Sequence, residues 1–313
     1  MRDISIEVAG NLIAAVILAV AAAMAWLFST RPRLRRLQAL FGIDQTRPVV
    51  AMYLSNLAIQ PGGAASRDGE PDVAIGFTGP AIIRSEYRAA QIVERLLTGG
   101  RLLVRPKGLN EWLRGRLPTL SVPDVRIDVA PDPFQQRAAE NLVLLGSRVY
   151  NSLTAHYFED NPLSYFSFDR VPDPSDPTET LRVIRIAGRT EPVPVVRATV
   201  DGRGTELAIV ERLLDEENDR IIFAIYGFGA ASTAGATRFL AEHWEDFAEL
   251  VERFGPRVGV LMAFDNYPRD IERGEELDVL HNRPRILFVR TPSSTAELEP
   301  GKQTLSDFLR SRR

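Results

Sequence analysis

The chain has 313 residues, of which 45% are apolar and 25% are charged, and its formal net charge is −3. This length and apolar content suffice for one large domain or two modest ones with a proper core, and they exclude a disordered chain. Because the chain has no cysteine and only three histidines, disulfide frameworks and thiolate centres are excluded and a histidine-rich metal site is disfavoured. Neither a metal nor a cofactor is predicted.

The N-terminal part of the chain predicts a transmembrane helix. Residues 8–28 carry no charged side chain, and about 20 apolar residues in a helix span the hydrocarbon core of a bilayer. Trp26 and Phe28 end this run, where an aromatic belt would lie. Positive charge marks the cytoplasmic side of such a helix, and four arginines follow directly: Arg31, Arg33, Arg35 and Arg36. The pattern therefore predicts a single-pass protein of the cell membrane, with residues 1–7 outside and the remainder in the cytoplasm.

The same segment has two alternatives and two further interpretations. A signal peptide cleaved at residues 23–25 is one alternative, but the nearly neutral start and the arginines that follow disfavour export. A buried helix of a soluble protein is the other, and it is disfavoured because the segment has no polar face. Ala15, Ala19 and Ala23 form a stripe of small residues that favours helix packing, and hence a homo-oligomer. The four arginines also predict contact with anionic lipid head groups, although setting the topology is their plainer role.

Beyond residue 36 the chain is mildly acidic, and strand-like and helix-like patterns alternate. Because acidic charge repels phosphates, nucleic acid is not predicted as a partner. The apolar or alternating runs typical of strands lie at 48–54, 122–129, 142–145, 181–186, 193–200, 207–210, 221–226, 258–264 and 285–289. Helical patterns lie at 85–98, 134–140, 149–157 and 237–254.

These patterns predict an α/β fold. We expect the transmembrane helix to be followed by a basic juxtamembrane linker at 29–46, a Rossmann-like cytoplasmic domain at 47–290 and a polar C-terminal tail at 291–313. The domain is expected to hold a mainly parallel sheet with helices on both faces, because buried strands alternate with helices. An antiparallel insertion is expected near residues 180–210, where strand patterns follow one another directly.

A glycine-rich turn over residues 227–235 is the strongest candidate for a ligand site. It joins the most apolar strand to the longest predicted helix and reads Gly-Phe-Gly-Ala-Ala-Ser-Thr-Ala-Gly. Gly227 and Gly229 allow a ligand to approach the backbone, and Ser232 and Thr233 supply hydroxyls beside a helix N-terminus that attracts phosphate. The spacing matches neither the dinucleotide-binding fingerprint nor a Walker A loop, so an ordinary turn with a Ser or Thr cap is the alternative.

Two other strand ends carry small polar residues. Ser55 and Asn56 follow the first strand, and Gly146, Ser147 and Asn151 follow a later one. Ligands of open α/β sheets bind beyond the carboxyl ends of the strands, so these residues are predicted to line one ligand-binding cleft with the glycine-rich turn. Each has a structural alternative, because Ser and Asn are ordinary cap and turn residues.

Three carboxylates are candidates for acid–base catalysis. Glu86 and Glu94 lie on the helix predicted at 85–98, and Asp265 follows a strand. A catalytic carboxyl needs surroundings that shift its pKa. The ordinary interpretation of each residue is a solvated charge or a helix cap.

Two segments resemble motifs of a known group of proteins. Residues 142–151 resemble a signature in which a strand is followed by glycine, a small residue and later an asparagine, and residues 227–236 resemble a Gly-x-Gly…Gly-Thr-x-Ala element. Together they are similar to poorly characterised prokaryotic, often membrane-tethered Rossmann-like proteins related to the nucleoside 2-deoxyribosyltransferase and TIR folds. The resemblance covers residues 47–290 and implies a nucleotide or nucleoside ligand, without implying catalysis.

Three functions are therefore open. The first is a membrane-anchored cytoplasmic sensor domain that binds a nucleotide-like or other anionic small ligand. The second is an enzyme on the same scaffold that hydrolyses or transfers an N-glycosidic bond of a nucleoside or of NAD. The third is a membrane-tethered scaffold that binds no ligand and whose turns are purely structural.

Overall fold

The fold is described from a computed structural model of the chain. It describes Ala15, Ile17, Leu18, Ala21 and residues 31–55, 84–99, 123–130, 140–146, 148, 151–157, 163–173, 180–195, 203–228, 230–268, 283–298 and 304–312. Asn56, Ser147 and Gly229 lie outside the described residues, as do most of the predicted helix at 134–140 and the end of the predicted strand at 193–200.

The described strands form two sheets. Their bounds are β1 Val49–Leu54, β2 Asp124–Val129, β3 Asn141–Leu145, β4 Phe166–Pro172, β5 Thr180–Ile186, β6 Val193–Pro194, β7 Arg203–Asp215, β8 Arg220–Gly227, β9 Val258–Pro268, β10 Arg285–Arg290 and β11 Thr295–Glu297. The large sheet has the order β11-β10-β9-β7-β8-β3-β1-β2, and the small sheet has the order β4-β5-β6.

The described helices lie between and after these strands. They are α1 at 31–40, then α2 Arg84–Leu97, α3 Ser152–Ala155, α4 Ala230–Glu242, α5 Trp244–Phe254 and α6 Leu305–Ser311. The helix predicted at 237–254 is thus two helices, which are separated at His243, where the backbone leaves the helical conformation (φ −116°, ψ 20°). The predicted polar tail contains β11 and α6.

The large sheet is mixed, so the prediction of a mainly parallel sheet is wrong. Strands β2, β1, β3 and β8 are parallel, whereas β8, β7, β9, β10 and β11 pair antiparallel. The change of direction occurs at β8 because only residues 216–219 connect it to β7. A parallel neighbour needs a crossover of a dozen or more residues, so a connection this short forces an antiparallel pair.

The two faces of the large sheet are covered differently. Side chains of α1, α2, α4, α5 and α6 pack on one face, around residues such as Phe223 and Val260. The other face packs against α3 and the small sheet, through residues such as Phe166 and Ile184. Among the described residues the second face carries only the four-residue helix α3, so the prediction of a helical layer on both faces is corrected. The antiparallel insertion exists as the sheet β4-β5-β6, which lies between β3 and β7 in the chain, but its bounds are corrected, because residues 207–210 belong to β7 of the large sheet.

The predicted transmembrane helix is not supported. Spanning a bilayer takes about 20 consecutive apolar residues, and within the described part of the chain no helix combines that length with that apolarity. Of residues 8–28 the structure describes Ala15, Ile17, Leu18 and Ala21 as helical, and the others lie outside the described residues. The predicted single-pass membrane location rested on this helix and is withdrawn with it.

The predicted basic linker contains helix α1, which packs on the sheet through buried Leu37, Leu40 and Phe41. Two of its arginines pair with acidic residues of α5. Arg33 lies 2.7 Å from Glu245, and Arg36 donates two hydrogen bonds of 2.8 Å to Glu252. The structure therefore gives these two arginines protein partners.

Candidate functional site

The strand order places a topological switch point at the carboxyl ends of β1 and β3, and the region just beyond these two strand ends is called the crevice. Strand β2 lies on one side of β1 and β3 on the other, so the chain reverses its direction of winding there. Ligands of open α/β sheets bind at such a switch point. Ser55 directly follows β1 and Gly146 directly follows β3, so two of the residues predicted to share a cleft lie side by side.

Glu86 is the charged residue that helix α2 brings to this crevice. It lies in the first turn of α2, where the positive end of the helix dipole favours an acidic side chain. Its carboxylate accepts hydrogen bonds from the amide and the hydroxyl of Ser55, at 2.8 and 2.9 Å. Glu86 is only 2% exposed, and this burial raises the pKa of its carboxyl to about 7, against the opposing effect of the two hydrogen bonds. Glu86 therefore titrates near neutral pH.

Gly146 packs directly against Ser55 and Glu86, so there is no room for a side chain at this position. A Cβ at this position would lie 2.1 Å from Oγ of Ser55 and 2.4 Å from Oε1 of Glu86. Its φ of +102° also lies in the region that glycine tolerates best. The Gly146 amide donates to the carbonyl of Ile225 at 3.1 Å, which ties this turn to β8.

Asn151 bridges the two strand ends beneath the crevice. Its side-chain amide donates to the carbonyls of Tyr53 (3.0 Å) and Leu145 (2.9 Å). Its side-chain oxygen accepts from the amides of Leu153 and Thr154, both at 3.1 Å, and so caps helix α3. Both the nitrogen and the oxygen of the Asn151 side-chain amide therefore have partners within the protein, which agrees with the alternative that Asn151 is a helix cap.

The glycine-rich turn has the geometry of a capped helix start. The amide of Gly227 donates to Oγ1 of Thr233 at 2.9 Å, and Ser232 is fully buried. A Cβ at Gly227 would lie 2.1 Å from Oγ of Ser232. The ordinary-turn alternative accounts for these contacts, while a ligand at this turn stays a prediction.

Glu94 and Asp265 are not brought to the crevice. Glu94 lies on α2 two turns beyond Glu86, and its carbonyl accepts the amide and the hydroxyl of Thr98. Asp265 lies on β9, which β7 separates from β8. Arg285 donates to its carboxylate, with one contact at 2.9 Å, and this hydrogen bonding lowers the pKa of Asp265.

Two buried polar residues near the crevice were not singled out by the sequence patterns. Ser85 is 5% exposed, and its Oγ has no hydrogen-bond partner among the described residues. The hydroxyl of Thr154 donates to the carbonyl of Gly146 at 3.3 Å. The position of Ser85 at a helix start beside Glu86 was the available signal, but serine is so common there that the signal is not specific.

The described residues hold no group of three or more His, Asp or Glu side chains that could bind a metal ion. Comparison with protein-family models, with curated proteins and with solved structures found no match. The resemblance to the nucleoside 2-deoxyribosyltransferase and TIR folds therefore stays a prediction, and the functional argument rests on the crevice itself.

Proposed function

We propose that the chain binds a nucleoside-like or nucleotide-like small molecule in the crevice between the carboxyl ends of β1 and β3. The observation that carries the proposal is the buried Glu86 carboxylate, which Ser55 holds at the switch point of the sheet. A carboxylate in this position can accept hydrogen bonds from sugar hydroxyls, as acidic residues do in dinucleotide-binding folds.

The surrounding helices add support for a ligand with a negative charge. Helices α2 and α4 pack against each other on the same face of the sheet. Each follows a strand of the parallel half, β1 and β8 respectively, so both begin at the edge that contains the crevice. Helix N-termini favour phosphate and other anions. A nucleotide combines sugar hydroxyls for Glu86 with phosphates for the N-terminus of α4, because Glu86 already occupies the first turn of α2.

A second function is favoured by the titration of Glu86. A carboxyl with a pKa of about 7 can both donate and accept a proton at neutral pH, which suits a general acid or base. The corresponding activity is hydrolysis or transfer of the N-glycosidic bond of a nucleoside or of NAD. In this function Glu86 would act on the ligand that it also holds.

The test is calorimetric titration of the full chain with adenosine, AMP, ADP-ribose and NAD. We expect at least one of them to bind the wild type and to lose about tenfold or more in affinity with Glu86→Gln. Glu217→Gln is the control, since it makes the same chemical change in the exposed β7–β8 turn. Chromatography of the mixtures separates binding from cleavage of the N-glycosidic bond.

Two results would contradict the proposal. One is the absence of binding by all four compounds. The other is binding that Glu86→Gln and Glu217→Gln leave equally strong. Either result would favour the scaffold interpretation, in which the polar groups of the crevice only stabilise the fold.

A further inference from the structure

Two arginines and a tyrosine meet at the antiparallel half of the large sheet, on the face that the small sheet covers. Arg257 directly precedes β9, and Arg290 is the last residue of β10. Tyr165 directly precedes β4 of the small sheet. The guanidinium carbons of Arg257 and Arg290 lie 4.6 and 5.0 Å from the centre of the Tyr165 ring. Both guanidinium groups therefore contact the same aromatic ring.

The backbone around Tyr165 is fixed to the large sheet. The Tyr165 amide and the Ser164 hydroxyl donate to the two carboxylate oxygens of Glu211, the latter at 2.6 Å. The Phe166 ring lies over Gly259, where a Cβ would approach it to 2.6 Å. Glu211, Gly259 and Arg290 lie opposite one another on the neighbouring strands β7, β9 and β10. The contacts with Glu211 and Gly259 therefore fix Tyr165 beside the two arginines.

The two guanidinium charges have no carboxylate at ion-pair distance among the described residues. A guanidinium stays charged at all physiological pH values. Glu211 is the acidic side chain whose charge acts on Arg257, but both of its oxygens already accept hydrogen bonds. Burial also raises the pKa of Glu211 to about 7, which reduces its negative charge at neutral pH. The pair of arginines therefore keeps an excess of positive charge.

The same guanidinium groups have hydrogen-bond donors to spare. Arg257 donates from Nη2 to the carbonyl of Leu163. The Nε atoms of Arg257 and Arg290 are both buried, and neither has a hydrogen-bond partner within the described part of the chain. A guanidinium has five N–H donors, and a buried donor without an acceptor is costly. Each of the two residues is partly exposed as a whole, so an acceptor from solution would approach the Nη groups, because the Nε atoms are buried.

We propose that Arg257 and Arg290, which both contact the Tyr165 ring, form a binding site for a phosphate-type oxyanion. An oxyanion supplies the acceptors and the negative charge that this cluster lacks, and the planar guanidinium fork matches its geometry. The proposal is independent of the crevice at Glu86. That crevice lies beside α2 on the helical face, whereas the arginine pair lies on the face covered by the small sheet.

The test is a titration of the full chain with inorganic phosphate, with sodium chloride at equal ionic strength as the reference. We expect phosphate to bind and to raise the melting temperature more than chloride does. Arg290→Gln should weaken phosphate binding at least about tenfold, the worth of one charged hydrogen bond. Arg285→Gln is the matched control on the same strand, because Asp265 already neutralises Arg285, and it should leave the affinity unchanged.

Arg290→Lys is the second variant, which keeps the test decisive if Arg290→Gln does not fold. Lysine keeps the charge but loses the fork, so this variant should fold and bind phosphate more weakly than the wild type. The proposal is wrong if phosphate stabilises the wild type no more than chloride does. It is also wrong if Arg285→Gln weakens binding as much as Arg290→Gln, since that would indicate general charge attraction.

Discussion

The carboxylate of Glu86 accepts two hydrogen bonds from a single residue, Ser55, which lies 31 positions earlier in the chain. One bond comes from the backbone and one from the side chain, so helix α2 is tied to the end of β1 by the group that also carries the charge. The stability of the folded protein therefore depends on whether the Glu86 carboxyl is ionised.

The first prediction concerns the pH dependence of stability. The folded state binds the Glu86 proton more tightly than the unfolded chain does, since the pKa rises from 4.5 to about 7. The resulting stability is fully present below pH 4.5 and is lost as the pH rises toward 7, by on the order of 3 kcal/mol. Glu86→Gln should remove this dependence. Urea unfolding of both proteins between pH 5 and 8 measures it, and parallel profiles would contradict the prediction.

The second prediction compares two glycines with positive φ. Gly146→Ala should lose about 3 kcal/mol of stability, because backbone strain adds to a collision with Ser55 and Glu86. At Gly188, with φ +81°, a Cβ would meet no atom closer than 3.5 Å. Gly188→Ala should therefore lose only the strain, about 1–2 kcal/mol. Equal losses in chemical unfolding would show that crowding at the crevice is unimportant.

The third prediction separates the two interpretations of the glycine-rich turn. Thr233→Val keeps the shape but leaves the Gly227 amide without its acceptor, so the protein should lose about 1–3 kcal/mol. Thr237→Val on the same helix removes only a donor to the Thr233 carbonyl and should cost less than about 1 kcal/mol. Melting curves measure stability, and nucleotide titrations measure affinity. A ligand at this turn requires that Thr233→Val also lowers the affinity.

The fourth prediction concerns Arg212, which is buried beneath helix α1. It donates hydrogen bonds to the carbonyls of Leu40 (2.7 Å), Ala39 (3.3 Å) and Pro256, and burial lowers its pKa to about 10. Arg212→Met should cost about 3 kcal/mol, because it leaves these carbonyls without their charged donor. It should also speed amide exchange in α1.

Arg36→Met is the control for this experiment. It breaks only the surface pair with Glu252, which is worth less than about 1 kcal/mol. If the two variants unfolded at the same urea concentration, Arg212 would not anchor α1.

The sequence predicted where buried strands lie better than how they pair. The apolar run at 221–226 is confirmed as part of β8, which is buried throughout. The run at 207–210 is only the middle of β7, which continues through Glu211, Arg212 and Asp215. These three residues are buried and polar, so the apolar pattern ends before the strand does. The partners that make burial tolerable for Glu211 and Arg212 are distant in the chain, whereas Asp215 is held mainly by Asn218 and Arg220 in and after the next turn.

The same distinction applies to the two sites. Ser55 and Gly146 could be named because they follow apolar runs, and ligands bind beyond such strand ends. The partnership of Glu86 with Ser55 depends on where α2 begins and on how it packs. The cluster of Arg257, Arg290 and Tyr165 depends on the register of β9 and β10 and on the docking of the small sheet, which no local pattern encodes.

Strand β8 belongs to both halves of the large sheet, and this has a consequence for the order of folding. Its antiparallel partner β7 is only a four-residue turn away, whereas its parallel partner β3 pairs across the segment between Leu142 and Ile222. Closing the longer loop costs more chain entropy before any contact rewards it. We therefore expect the β7–β8 hairpin to form before β3, β1 and β2 add to it, and the crevice at Glu86 to be completed only when that addition reaches β1.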